Sequence, residues 1–165
     1  MNNKNDTSSL VTHIPGIALA WGWAGVIPFT ALAGLTALAE PHIQAFALQI
    51  LVPYSAIILT FMGGVHWGII ISRIQNGMYL YTTGIMPSLA AVLAILVPLD
   101  FAIAVLGVGF LALLLCDLWL VRTAVLPKWY GKLRIQLTLA VIVCLAVAGF
   151  TAPPEPGFDN YIIGQ

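Results

Sequence analysis

Five predominantly apolar stretches, each roughly twenty residues or longer, occupy approximately 15–38, 46–73, 80–98, 101–121 and 134–152. About 20 apolar residues in a helix are needed to cross roughly 30 Å of hydrocarbon, and in lipid only helices and closed barrels satisfy their own backbone hydrogen bonds. A soluble fold fails on surface area: 61% of the 165 residues are hydrophobic and 7% are charged, more apolar surface than one small core can bury. The sequence therefore predicts an all-α polytopic transmembrane bundle of five helices over 15–152. A polar N-terminal tail, 1–14, and a C-terminal tail, 153–165, flank it, with no room for a separate soluble domain.

The few charges are distributed unevenly. With five spans, Lys4, Arg73, Arg122, Lys128, Lys132 and Arg134 all fall on one side, whereas Glu40, Asp100, Glu155 and Asp159 fall on the other. Four or six spans would scramble this bias. Cytoplasmic segments carry an excess of Lys and Arg, so the pattern predicts a cytoplasmic N-terminus and an external C-terminus. Zero net charge and six scattered basic residues provide no surface for a run of phosphates, which argues against a nucleic-acid partner. Ala37-Leu38-Ala39 imitates a signal-peptidase site, but the apolar run before it exceeds the usual signal core and its leading tail is weakly basic, so an uncleaved anchor is expected.

The segment Gly63-Gly64-Val65-His66-Trp67-Gly68 places an imidazole where a spanning helix normally carries aliphatic bulk. A polar group in hydrocarbon needs a partner and marks a candidate functional site. Counting about 1.5 Å per residue, His66 lies roughly 10 Å below the basic-side boundary and Asp117 roughly 8 Å below it. The two can therefore meet, and Arg73 shares the His66 face. Imidazole beside carboxylate serves a proton relay or general base; it also serves as a polar clamp that fixes helix packing, which explains the same residues with fewer assumptions. Gly63, Gly64 and Gly68 are expected at close helix contacts. Trp21 and Trp67, one to two turns inside the boundary, are candidates to line a cavity for a quinone or lipid ligand beside His66.

The segment from Arg122 through Lys128, Trp129, Tyr130 and Lys132 to Arg134 alternates basic and aromatic residues and is read as an interfacial anchor. His13 and His42 fall at opposite membrane faces, leaving His66 without a second axial histidine for haem, and no clustered ligand set for a metal is present. No cofactor is expected. Cys116 and Cys144 lie at different depths in separate helices, a poor match for a disulfide. Pro28, Pro53 and Pro87 interrupt the first three helices, but without an inverted repeat a transporter is disfavoured. No phosphate loop, nucleophile elbow or zincin signature is present, so no soluble-enzyme chemistry is indicated.

Tyr54, Ile58-Leu59, Phe61, Gly63-Gly64-Val65-His66-Trp67-Gly68, Pro87-Ser88-Leu89, Asp117 and Pro127-x-Trp129-Tyr130-x-x-Leu133-Arg134 together resemble an uncharacterised family of small multi-pass proteins. That family occurs in proteobacteria, with a transmembrane relative in mitochondria. The resemblance implies a bacterial inner membrane and, by association, an accessory or assembly role around a membrane complex, respiratory complexes included. The expected partners are the lipid bilayer and other membrane proteins. The alternative is a small-molecule binder, for quinone or lipid, or a membrane enzyme using His66 and Asp117.

Overall fold

The computed structural model describes residues 13–72 and 77–152. Five helices fill them: α1 (Gly16–Leu38), α2 (Pro41–Ile71), α3 (Met78–Leu96), α4 (Leu99–Arg122) and α5 (Lys128–Thr151). Each is long and apolar enough to cross a membrane. The described residues contain no strand. Proline marks most of the helix starts: Pro15, Pro98 and Pro127 stand at N-caps and Pro41 at the first helical position. Its fixed φ and missing N–H cost nothing there, because the first N–H groups of a helix have no intrahelical acceptor.

Two boundaries depart from the apolar pattern. Helix α2 starts at Pro41 and α5 at Lys128, several residues before their apolar runs begin. In both cases a proline start signal places polar residues inside the first turns, where apolar counting reads loop. The α4–α5 connection is therefore only Thr123 to Pro127, and the basic-aromatic segment is mostly helix.

Sequence-neighbouring helices pack side by side, α5 closes onto α1, and α2 and α4 also touch across the ring. Because the outer surface faces lipid, the helices are apolar all round and the inward stripe is distinguished by fit rather than polarity. Phe29, Leu51, Leu59, Leu106 and Phe110 fill the main core, with Ala91, Ala94, Ala102 and Ala148 allowing close backbones. Phe29 meets Tyr54 and Phe110 edge-on at centroid distances of 5.1 and 6.2 Å. Tyr54 Oη also donates to the Gly25 carbonyl at 2.9 Å, tying α2 to α1. A smaller cluster of Ile69, Ile70, Leu80 and Leu120 closes the other end of the bundle.

Helices α2 and α3 pack closely around two glycines. A β-carbon on Gly63 would stand 2.9 Å from the Gly84 carbonyl oxygen and 3.0 Å from Pro87 Cγ, while one on Gly84 would stand 2.5 Å from the Trp67 ring. Gly63 thus performs the packing expected of it. Gly64 and Gly68 do not: they face outward, with nothing within 4 Å of a β-carbon, because the helical turn carries them off the Gly63 stripe.

The α4–α5 connection is a Schellman motif. Val125 N–H donates to the Leu120 carbonyl at 2.9 Å and Ala124 N–H to Val121 at 3.2 Å. Ala124 occupies the left-handed position, φ 59°, that such a cap usually gives to glycine. Val125 and Leu120 pack together in the small cluster.

Candidate functional site

Each polar residue of the site stands on the inward stripe of its helix. In α2 the stripe runs Leu59, Gly63, His66 and Ile70; in α4 it runs Phe110, Leu113, Asp117 and Leu120; in α5 it runs Gly131, Arg134, Thr138 and Val141. His66 is five residues from the end of α2, Asp117 five from the end of α4 and Arg134 six from the start of α5. At 1.5 Å per residue that places all three about 8–9 Å inside the same end of the bundle.

They meet in one cluster. His66 Nε2 lies 3.0 Å from Asp117 Oδ1. A carboxylate only accepts, so Nε2 carries the hydrogen. Arg134 Nε–H donates to Asp117 Oδ2 at 2.5 Å, and Arg134 Nη1 donates to Met62 Sδ at 2.9 Å. His66 and Asp117 are 0% exposed and Arg134 is 3% exposed. One carboxylate therefore joins three helices, and the charged layer lies between the large and small apolar clusters. Breaking such a buried pair from one side costs about 3–5 kcal/mol, because the remaining charge is left without compensation.

The structure differs from the sequence expectation for Arg134. Expected as an interfacial anchor, it is buried and ion-paired, because α5 begins at Lys128 and has already made more than one turn before reaching it. Arg122, Lys128 and Lys132 are exposed at the same end, and Trp129 and Tyr130 are half-buried with ring centroids 6.0 Å apart. Arg73 lies outside the described residues.

The cavity near this cluster also has a different lining from the one expected. It occupies about 260 Å³ between α1, α2 and α5, reaching Phe110 of α4, and is lined by Trp21, Met62, Tyr130, Arg134 and Thr138 among others. Neither His66 nor Asp117 lines it; both are fully buried. Nor does Trp67: one residue further turns the helix about 100°, so the indole lies against Gly84 and meets Tyr81 edge-on at 5.4 Å. Trp21 is 74% exposed and stands at the cavity's outer edge.

Four buried polar atoms have no hydrogen-bond partner among the described residues: His66 Nδ1, Tyr130 Oη, Arg134 Nη2 and Thr138 Oγ1. Among those residues no group of three His, Cys, Asp or Glu is placed to hold a metal ion. Cys116 and Cys144 are both free. The buried, ion-paired role of Arg134 and the whole of Thr138 escaped the sequence reading, although Pro127 as a helix-start signal would have extended the stripe through both.

Fold and cluster together define a multi-pass membrane protein: five apolar helices tied internally by a buried His–Asp–Arg layer. The chain belongs to the family described as Protein of unknown function (DUF3429), which it matches over residues 14–150. It is similar to Transmembrane protein 69 of Xenopus tropicalis, 35% identical over 141 residues, covering 79% of this chain and 53% of that one. Similarity to Transmembrane protein 69 of Mus musculus is 30% identity over 149 residues, covering 87% and 60% respectively. The chain thus spans little more than half the length of these curated relatives. No solved structure matches it.

Proposed function

We propose that the protein is a non-enzymatic accessory subunit or assembly factor of a larger complex in a bacterial inner membrane, with a cytoplasmic N-terminus and an external C-terminus. The carrying observation is the enclosure of the polar cluster: His66 and Asp117 are fully buried and committed to joining α2, α4 and α5. A charge layer of this kind specifies which helix faces meet and in what register. A membrane enzyme acting through His66 and Asp117 is the weaker reading, since a general base must come within hydrogen-bond reach of its substrate, whereas both side chains are fully buried and neither lines the cavity.

Two further observations support the reading. Gly64 and Gly68 face outward on α2, and small residues let a second helix approach closely in lipid. Arg122, Lys128 and Lys132 stand at one end of the bundle while Glu40 and Asp100 stand at the other, the bias expected of a cytoplasmic N-terminus. The test is extraction of the full chain from its native membrane in mild detergent, followed by native mass spectrometry. A stoichiometric assembly with other membrane proteins is expected; a monodisperse monomer without a partner contradicts the proposal.

A further inference from the structure

We propose that the cavity between α1, α2 and α5 binds a neutral lipophilic molecule through its carbonyl oxygens, with Tyr130, Arg134 and Thr138 as the polar contacts. This goes beyond the subunit reading and does not depend on it. The three residues lie four apart along α5, forming a single stripe about 12 Å long. All three line the cavity, and each keeps a buried polar atom without a hydrogen-bond partner among the described residues. Arg134 is 3% exposed and Thr138 is 1% exposed. A buried group left unpaired costs about 1–3 kcal/mol, and valine would fill the Thr138 site at the same size without that cost. Three such groups on one wall of one cavity are accounted for by a ligand that pairs them.

The donor set determines the ligand chemistry. Arg134 Nη2 can only donate, and the two hydroxyls can donate or accept, so the ligand must present an acceptor oxygen. The Asp117 carboxylate already offsets the guanidinium charge, which favours a neutral carbonyl over an anion. The remaining wall is aromatic and aliphatic, including Phe29 and Phe61. A volume of about 260 Å³ holds one substituted ring or the ester region of a lipid, since an apolar cavity of about 150 Å³ takes up benzene. Gly25 lines the same cavity, and nothing lies within 4 Å of where its β-carbon would stand, so the missing side chain leaves room. The exposed Trp21 at the edge places the entrance on the lipid-facing side of α1.

Two sources share this chemistry, a membrane quinone and an acylglycerol ester. The experiment separates them on the purified full chain in detergent. A 1,4-benzoquinone with a ten-carbon tail is titrated by quenching of tryptophan fluorescence, and a diacylglycerol with eight-carbon chains is tested by native mass spectrometry and by displacement of the quinone. Thr138→Val and Tyr130→Phe each remove one unpaired hydroxyl and leave the ion pair intact. Each should weaken binding about three- to ten-fold, the worth of one net hydrogen bond, while the unfolding midpoint is unchanged or raised. Gly25→Leu should abolish saturable binding by filling the cavity.

Saturable quinone binding with this variant pattern supports the site and identifies a quinone as its ligand. The same pattern with the diacylglycerol alone supports the site and identifies the ester. Saturable binding of neither probe, or binding indifferent to all three variants, overturns the proposal.

Discussion

Replacing Asp117 by asparagine preserves the shape of the side chain and removes only its charge. In the native bundle its two oxygens lie 3.0 Å from His66 Nε2 and 2.5 Å from Arg134 Nε. Opposite unit charges about 3 Å apart attract by about 5–6 kcal/mol at an effective dielectric constant of 20. Asparagine retains an acceptor for the guanidinium, so part of that attraction survives as an ordinary hydrogen bond. A loss of about 3–5 kcal/mol is therefore expected, at least two orders of magnitude in the ratio of folded to unfolded protein. The assay is unfolding in mixed micelles with an increasing fraction of sodium dodecyl sulfate, followed by tryptophan fluorescence and circular dichroism. Removing both charges, as Asp117→Leu with Arg134→Met, should recover most of the loss, because the uncompensated guanidinium disappears. A loss below about 1 kcal/mol for Asp117→Asn, or a double variant no more stable than the single one, would refute an ion pair as the tie among α2, α4 and α5.

Other perturbations separate the close contacts from the open faces. Gly63→Ala should lower stability by about 1–3 kcal/mol in the same assay, since the new methyl group meets a backbone carbonyl and a rigid proline ring. Gly64→Ala and Gly68→Ala should leave the isolated chain as stable or slightly more so, because nothing lies within 4 Å of either β-carbon and alanine is the better helix former. Equal losses at all three positions would contradict the assigned packing face. Ala124→Gly should raise stability by up to about 1 kcal/mol by relieving a left-handed conformation that costs a β-carbon-bearing residue 1–2 kcal/mol; a destabilised variant would show that the cap geometry is not as described.

The apolar runs made the five helices legible, because the bilayer imposes a length on any segment that crosses it and the composition leaves no soluble alternative. His66 and Asp117 were legible as partners because depth along a helix can be counted from its charged end. Arg134 was not, since an apolar pattern starts α5 at the first long hydrophobic run and overlooks the turns between Pro127 and that run. The error of six residues moved an ion-pair partner from the core to the surface. Gly63, Gly64 and Gly68 are indistinguishable by composition, and only the register of α2 against Gly84 and Pro87 selects the one that packs. The cavity was placed near the correct residues but on the wrong face of α2, because depth counting fixes a level in the membrane and not a direction around the helix.

One carboxylate holds an imidazole and a guanidinium from two other helices. Solid-state magnetic resonance in lipid bilayers tests it directly, with nitrogen-15 in histidine and arginine side chains and carbon-13 in aspartate carboxyls, in an Asp100→Asn background that removes the other aspartate of the described spans. Dipolar couplings are expected from His66 Nε2 and from Arg134 Nε to the Asp117 carboxyl carbon, each over about 4 Å or less. The Asp117→Asn variant must lose both. Absence of either coupling in the native chain, or its persistence in that variant, would show that Asp117 does not join the three helices.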